Sequence, residues 1–186
     1  MKPQIVVLAG PNGAGKSTFY TVFLADSPLP LLDPDAVAEE LDVDAAEAAR
    51  IMDATRDRMI ADGLGFITET VFSDPVGAKL QMLRDAITAG FDVRLVFIGL
   101  ANVKQCSERI DQRVTEGGHD VPRDRLERRF VQSLANLREA IGFVPNVEVY
   151  DNSSDTEPFR RLLILRDGIV VEKTKRPPAW ARDVLA

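Results

Sequence analysis

Residues 10–17, Gly10-Pro11-Asn12-Gly13-Ala14-Gly15-Lys16-Ser17, carry the spacing G-x-x-x-x-G-K-S and are followed by Thr18. Such a run is built to hold phosphates. Glycines let the backbone wrap closely around an anion, and the dipole of a following helix adds attraction. Lys16 is expected to reach the β- and γ-phosphates, and Ser17 to bind Mg²⁺ through its hydroxyl. The context agrees with the spacing. A short β-branched run at residues 5–9 precedes the loop, and a helical stretch at 16–25 follows it. The whole run from Gly10 to Thr18 is therefore expected to bind ATP or a similar nucleotide.

A phosphate loop does not say where the phosphoryl group goes. A guanine-reading Asn-Lys-x-Asp segment does not occur in a fitting place. The strongest strand signal, residues 92–100, does not end in an acid, as a motor-type ATPase would require. A kinase needs a carboxylate near the acceptor hydroxyl and cations on the transferring group. Asp33-Pro34-Asp35 stands at the carboxyl end of a brief strand at 29–32, and Thr68-Glu69-Thr70 at the end of another at 65–70. Ligands of open α/β sheets bind at that edge. Asp33 reads equally as a helix cap before Pro34 or as a residue near Mg²⁺. Asp35, Glu69 and Thr70 read as substrate-side residues.

Arg109, Arg113, Arg123, Arg125, Arg128 and Arg129 flank a loop containing Gly117-Gly118-His119-Asp120. A helix–loop–helix with arginines on both sides suits a lid that closes over a phosphoryl group, with Arg113 and Arg128 the expected contacts. The alternative is a solvated face with i,i+4 pairs to Glu108, Asp111, Asp124 and Glu127.

Composition bounds the remaining possibilities. The chain has 186 residues, 45% hydrophobic and 28% charged, which suits one domain with its own core. A net charge of -6 weighs against nucleic acid as the main partner. One cysteine, Cys106, and one histidine, His119, leave no disulfide and no Cys/His metal cluster. No apolar run approaches the roughly 20 residues that span a bilayer. A cytoplasmic protein is expected.

Stepping strands and helices along the chain predicts helices at 36–41, 45–61, 76–88, 103–114 and 123–141. A further strand is expected at 147–150. Asp167-Gly168 between two apolar runs predicts a tight hairpin over 161–171. The expected fold is α/β: a P-loop NTPase-type three-layer sandwich with a mainly parallel sheet, an Arg-rich helical lid at about 109–130 and a C-terminal β-hairpin. Residues 1–175 form a single domain in this reading, and 176–186 a partly ordered tail.

The order of these segments resembles the zeta-toxin family of P-loop kinases over roughly residues 1–155. The resemblance rests on the phosphate loop, Asp33-Pro34-Asp35, Thr68-Glu69-Thr70, the Arg-rich stretch through Val121-Pro122, residues 133–137 (Ser-Leu-Ala-Asn-Leu) and Tyr150-Asp151-Asn152-Ser153. It implies an ATP- and Mg²⁺-dependent kinase acting on the sugar 3′-hydroxyl of UDP-N-acetylglucosamine. By position it implies that Asp35 activates the acceptor hydroxyl, that Glu69 binds substrate, that Arg113 and Arg128 are lid arginines and that Asn152 lies near the adenine. It also implies a protein antitoxin. The lid carries an inserted Gly-Gly-His-Asp-Val-Pro relative to that family. Two other readings stay open: a kinase for another metabolite, nucleoside or antibiotic, and a non-catalytic ATP-binding regulatory protein.

Overall fold

The computed structural model describes residues 2–115 and 122–186. In chain order the elements are β1 (Gln4–Ala9), α1 (Lys16–Phe23), β2 (Leu31–Leu32), α2 (Pro34–Leu41), α3 (Ala45–Ala61), β3 (Phe66–Thr70), α4 (Ala78–Thr88), β4 (Asp92–Gly99), α5 (Val103–Thr115), α6 (Arg123–Ile141), β5 (Asn146–Asp151), β6 (Arg160–Arg166) and β7 (Ile169–Lys173). A 3-10 turn, Ala179–Ala181, closes the chain.

The sheet order is β2-β3-β1-β4-β5-β6-β7. The first five strands are parallel, and β6 and β7 are antiparallel additions at one edge. β1 lies inside the sheet because it is apolar on both faces and needs cover on both. Ile5, Val7 and Ala9 pack with Met52 of α3, Leu83 of α4 and Leu137 of α6. Val6 and Leu8 pack with Phe19 of α1 and Cys106 of α5. The result is the expected three-layer sandwich of the P-loop NTPase type, hairpin included.

Local chemistry explains several boundaries. Asp44 caps α3 by accepting hydrogen bonds from the Ala46 and Glu47 N–H groups, at 2.9 and 2.8 Å. The β6–β7 turn uses Asp167 at φ 51° and Gly168 at φ 75°, the double positive-φ geometry that matches strand twist. The two arginine-rich helices are joined by Arg123, which donates to both carboxylate oxygens of Asp111 at 2.8 Å. The Gly117-Gly118-His119-Asp120 loop between them lies outside the described residues.

The C-terminal segment departs from expectation. Residues 176–186 are not a loose tail: Trp180, Ala181, Val184 and Leu185 are buried in the core on the α4–α6 side of the sheet. The spacing i, i+1, i+4, i+5 is a short helical stripe, too brief to register as a helix in the sequence. Gly99 makes room for it, since a Cβ there would lie 2.2 Å from the Trp180 ring. No helix among the described residues is long and apolar enough to cross a membrane.

Candidate active site

The phosphate loop runs from the end of β1 into α1. Gly10 is at φ 143°, and a Cβ there would meet the Ile98 carbonyl oxygen at 2.2 Å; only glycine passes this point. Gly15 precedes α1 at φ 90° with no side-chain cap. The first N–H groups of α1 are thus available to an anion. The loop has the glycine geometry and the open helix start that a nucleotide triphosphate requires.

Lys16 is buried, and its Nζ donates to the carbonyl oxygens of Gly10 and Pro11 at 3.1 and 3.3 Å. Its ionic partner is Glu69, 3.5 Å away. The Ser17 hydroxyl donates to the same carboxylate at 3.3 Å. Burial lowers the Lys16 pKa from its ordinary value, against the opposing pull of Glu69. The register explains the meeting. β3 lies beside β1, with Leu8 opposite Glu69 and Ala9 opposite Thr70, so the acid at the end of β3 faces the loop.

These groups open into a cleft of about 470 Å³. Its far wall is formed by Arg109, Gln112 and Arg113 of α5, and its rim by Asn152, Asp155, Pro158 and Phe159. Arg109 donates to Asp155 at 3.3 Å. Asn152 donates from Nδ2 to the Ala14 carbonyl at 2.9 Å, and its Oδ1 accepts from the Phe159 N–H. Its amide is therefore spent on holding the phosphate loop, although the residue also lines the cleft.

A second cavity measures about 730 Å³. It lies between residues 70–75 and the start of α6, with Lys79, Arg125, Arg128 and Arg129 among its walls, together with Asp74 and Asp124. The Asp74 Oδ1 is buried without a hydrogen-bond partner among the described residues. Burial lowers the Lys79 pKa, with the nearby Arg56 guanidinium pushing the same way. Consecutive residues at the end of β3 line the two cavities: Glu69 the first and Thr70 the second.

The candidates drawn from the sequence therefore divide. The phosphate loop, Glu69, Arg113 and Asn152 share one cleft. Thr70 and Arg128 belong to the other, so the two arginines paired in the sequence reading serve different cavities. Asp33 ends up half-buried beside β2, just before α2. The backbone of Asp35 lies in the first turn of α2; its side chain lies outside the described residues. Arg109, one of the flanking arginines but not one of the two expected contacts, also lines the first cleft, four residues before Arg113 on the same helix face, and so does Phe159. Phe159 gave no local signal.

No group of three or more His, Cys, Asp or Glu among the described residues could hold a metal alone. The Ser17 hydroxyl and Glu69 carboxylate nevertheless offer hard oxygen ligands side by side. That set suits Mg²⁺ completed by phosphate oxygens and water.

The AAA-domain family profile matches residues 5–137. An uncharacterized protein of Haemophilus influenzae is 30% identical over 136 residues, covering 70% of this chain and 94% of its own. The AvrRxo1-ORF1:AvrRxo1-ORF2 complex, crystallised with ATP, superposes with a TM-score of 0.69 at 16% identity, over 91% of this chain. This chain spans 60% of the length of that one. A structure from the PezAT chromosomal toxin–antitoxin system of Streptococcus pneumoniae gives a TM-score of 0.63 at 16% identity, over 99% of this chain and 77% of its own. At such identities the likeness shows a P-loop kinase-like fold.

Proposed function

The chain belongs to the AAA-domain family, and from that premise we propose that it is an ATP-dependent kinase that transfers a phosphoryl group to the hydroxyl of a small molecule. The observation that carries this reading is that consecutive residues at the end of β3, Glu69 and Thr70, line two different cavities. One is lined by the phosphate loop, and the other, of about 730 Å³, is rich in cations. A nucleotide hydrolase has no need of the second.

In this reading the loop from Gly10 to Thr18 holds the ATP phosphates, with Lys16 on the β- and γ-oxygens. Ser17 and Glu69 are the residues that would hold Mg²⁺, which when bound would supply charge neutralisation for the phosphates. Glu69 thus moves from the acceptor side to the donor side. Arg113 neutralises charge developing on the transferring group. The base stacks in the rim between Arg109 and Pro158–Phe159. Asp35, by the family resemblance, accepts the proton of the acceptor hydroxyl.

The acceptor occupies the second cavity. The cations Lys79, Arg125, Arg128 and Arg129 favour an anionic molecule, and the Asp74 carboxylate offers an acceptor for its hydroxyl groups. A UDP-sugar such as UDP-N-acetylglucosamine, the acceptor implied by the zeta-toxin resemblance, meets both requirements. A protein antitoxin follows from the same resemblance, and a cytoplasmic location from the single cysteine and the lack of a long apolar run. The structural neighbours drawn from a two-protein complex and a toxin–antitoxin system support the former.

The test is to incubate the protein with Mg·ATP and a panel of hydroxyl acceptors, UDP-sugars included, and to follow products by mass spectrometry. A phosphorylated UDP-sugar is the expected product, lost in Asp35→Asn. Tight ATP binding with no transfer to any acceptor would overturn the kinase reading.

A further inference from the structure

Trp180 is the chain's single tryptophan and lies far from the phosphate loop in sequence. Its indole Nε1 donates to the Asp151 carboxylate at 3.0 Å. Its ring lies on Gly99, the last residue of β4, and near Phe97. Asp151 is buried at the end of β5 and accepts further hydrogen bonds from Ser153 and, at 3.2 Å, from Arg160. A buried carboxylate is stable only while such donors stay in place.

The next residue connects this cluster to the phosphate loop. The Asn152 backbone N–H donates to the Gly99 carbonyl at 2.9 Å. Its side chain bridges the Ala14 carbonyl and the Phe159 N–H. The contact with the loop is tight, since a Cβ on Gly15 would sit 2.7 Å from Asn152 Nδ2. A shift of Asn152 is therefore passed to the Ala14–Gly15 backbone, which shapes the phosphate cradle.

We infer that Trp180 is a positioning residue for the nucleotide site: through Asp151 and Asn152, the C-terminal segment sets the geometry of the phosphate loop. This rests on the reading of the cleft as an ATP site. The link explains a feature that core packing alone does not require: a tryptophan stands where its N–H reaches a buried acid. It also places the segment after the hairpin inside the functional unit.

The experiment measures binding of Mg·AMP-PNP by calorimetry, with melting temperature as a second reading, for the full-length protein and its variants. Trp180→Phe keeps the ring and removes the donor. It is expected to weaken binding roughly ten-fold or more, the low end of the scale for losing one hydrogen bond to a charged group. Leu185→Ala, a core change in the same segment, is expected to lower the melting temperature while leaving affinity within about two-fold. Trp180→Phe combined with Asn152→Ala is expected to bind no more weakly than Asn152→Ala alone, because both cut one path. If Trp180→Phe does not fold, Asp151→Asn reads the same path with the indole in place and is expected to weaken binding similarly. Affinity unchanged in the variant that folds, or lost equally in Leu185→Ala, overturns the inference. Failure of the unmodified protein to bind the nucleotide overturns the ATP-site reading beneath it instead.

Discussion

Replacing Glu69 with glutamine tests the centre of the site. The carboxylate lies 3.5 Å from the Lys16 ammonium, which is only 7% exposed, while Glu69 itself is 32% exposed. At an effective dielectric of ~20, that separation corresponds to about 5 kcal/mol of attraction. The lysine has surrendered hydration, and solvent screens the exposed side of the glutamate, so the net contribution to stability is about 1–2 kcal/mol. In a chain of this size that lowers the melting temperature by about 2–8 °C. Bound ATP brings its own negative charge to Lys16, so the deficit should shrink when nucleotide is present. Catalysis should suffer more, because the glutamine is a poorer ligand for the cation on the transferring phosphates. A loss of about 10²–10³ in kcat is expected, the scale of removing one preorganised electrostatic group. Thermal melting with and without Mg·ATP, and initial rates of phosphoryl transfer, measure the two effects. A variant with kcat within three-fold of the parent would refute the metal-side role of Glu69, and an unchanged melting temperature would refute the ion-pair accounting.

Other consequences follow from particular contacts. Gly15→Ala forces a side chain into a φ of 90° and against Asn152, so ATP affinity should fall at least about ten-fold; calorimetry measures it, and parent-like binding would contradict the crowding. Arg113→Ala should lower kcat, whereas Arg128→Ala should chiefly raise KM for the acceptor, because the two residues line different cavities. Steady-state kinetics with each substrate varied would expose the opposite pattern. Glu148 is buried, and burial pushes its carboxyl up, but hydrogen bonds from Arg94, Tyr150 and Arg166 outweigh this and hold its pKa below the ordinary value. A depressed carboxylate stabilises the fold above its unfolded pKa and loses that contribution as pH falls through the folded value. Glu148→Gln should therefore cost about 2–3 kcal/mol near neutrality and progressively less on acidification; denaturant melts across pH check it, a pH-independent difference being the contrary result. Burial pushes the Cys106 thiol up to about 11, so iodoacetamide at pH 8 should leave the folded protein unlabelled and label it once unfolded.

The phosphate loop was legible because its information is local: eight consecutive residues specify the turn, the anion site and the helix start. Strand and helix order was equally readable from runs such as residues 92–99, and the bounds of α6 followed from its apolar spacing at Leu126, Phe130 and Leu137. What the sequence did not disclose is lateral. Nothing near Glu69 says that β3 lies directly beside β1, and only that neighbour relation turns a strand-end acid into the partner of Lys16. The arginines are similar. Their spacing shows charged helix faces, but not that Arg113 on α5 and Arg128 on α6 line different cavities. Trp180 was opaque because its partners, Gly99 and Asp151, are distant in sequence, and a four-residue apolar stripe falls below the length at which periodicity carries weight.

This division bears on where specificity resides in the molecule. In the proposed reading the donor half is largely one contiguous loop, backed by Asn152 and Glu69, and the acceptor half is the cavity assembled from the end of β3, the following segment, Lys79 of α4 and the first turns of α6. A chain can therefore keep its phosphate loop intact while the second cavity changes shape and charge through substitutions on α6 alone. The two halves share the carboxyl end of β3, where Glu69 and Thr70 are consecutive and point alternately in a strand. A backbone shift at that point moves the residue facing Lys16 and the residue lining the second cavity together. If the second cavity takes the acceptor, its alignment with the donor is set by the β1–β3 register, from Ile5 opposite Phe66 to Ala9 opposite Thr70. Buried side chains on both faces of both strands hold that register, since a slip by one residue would turn each strand's core side chains to the wrong face.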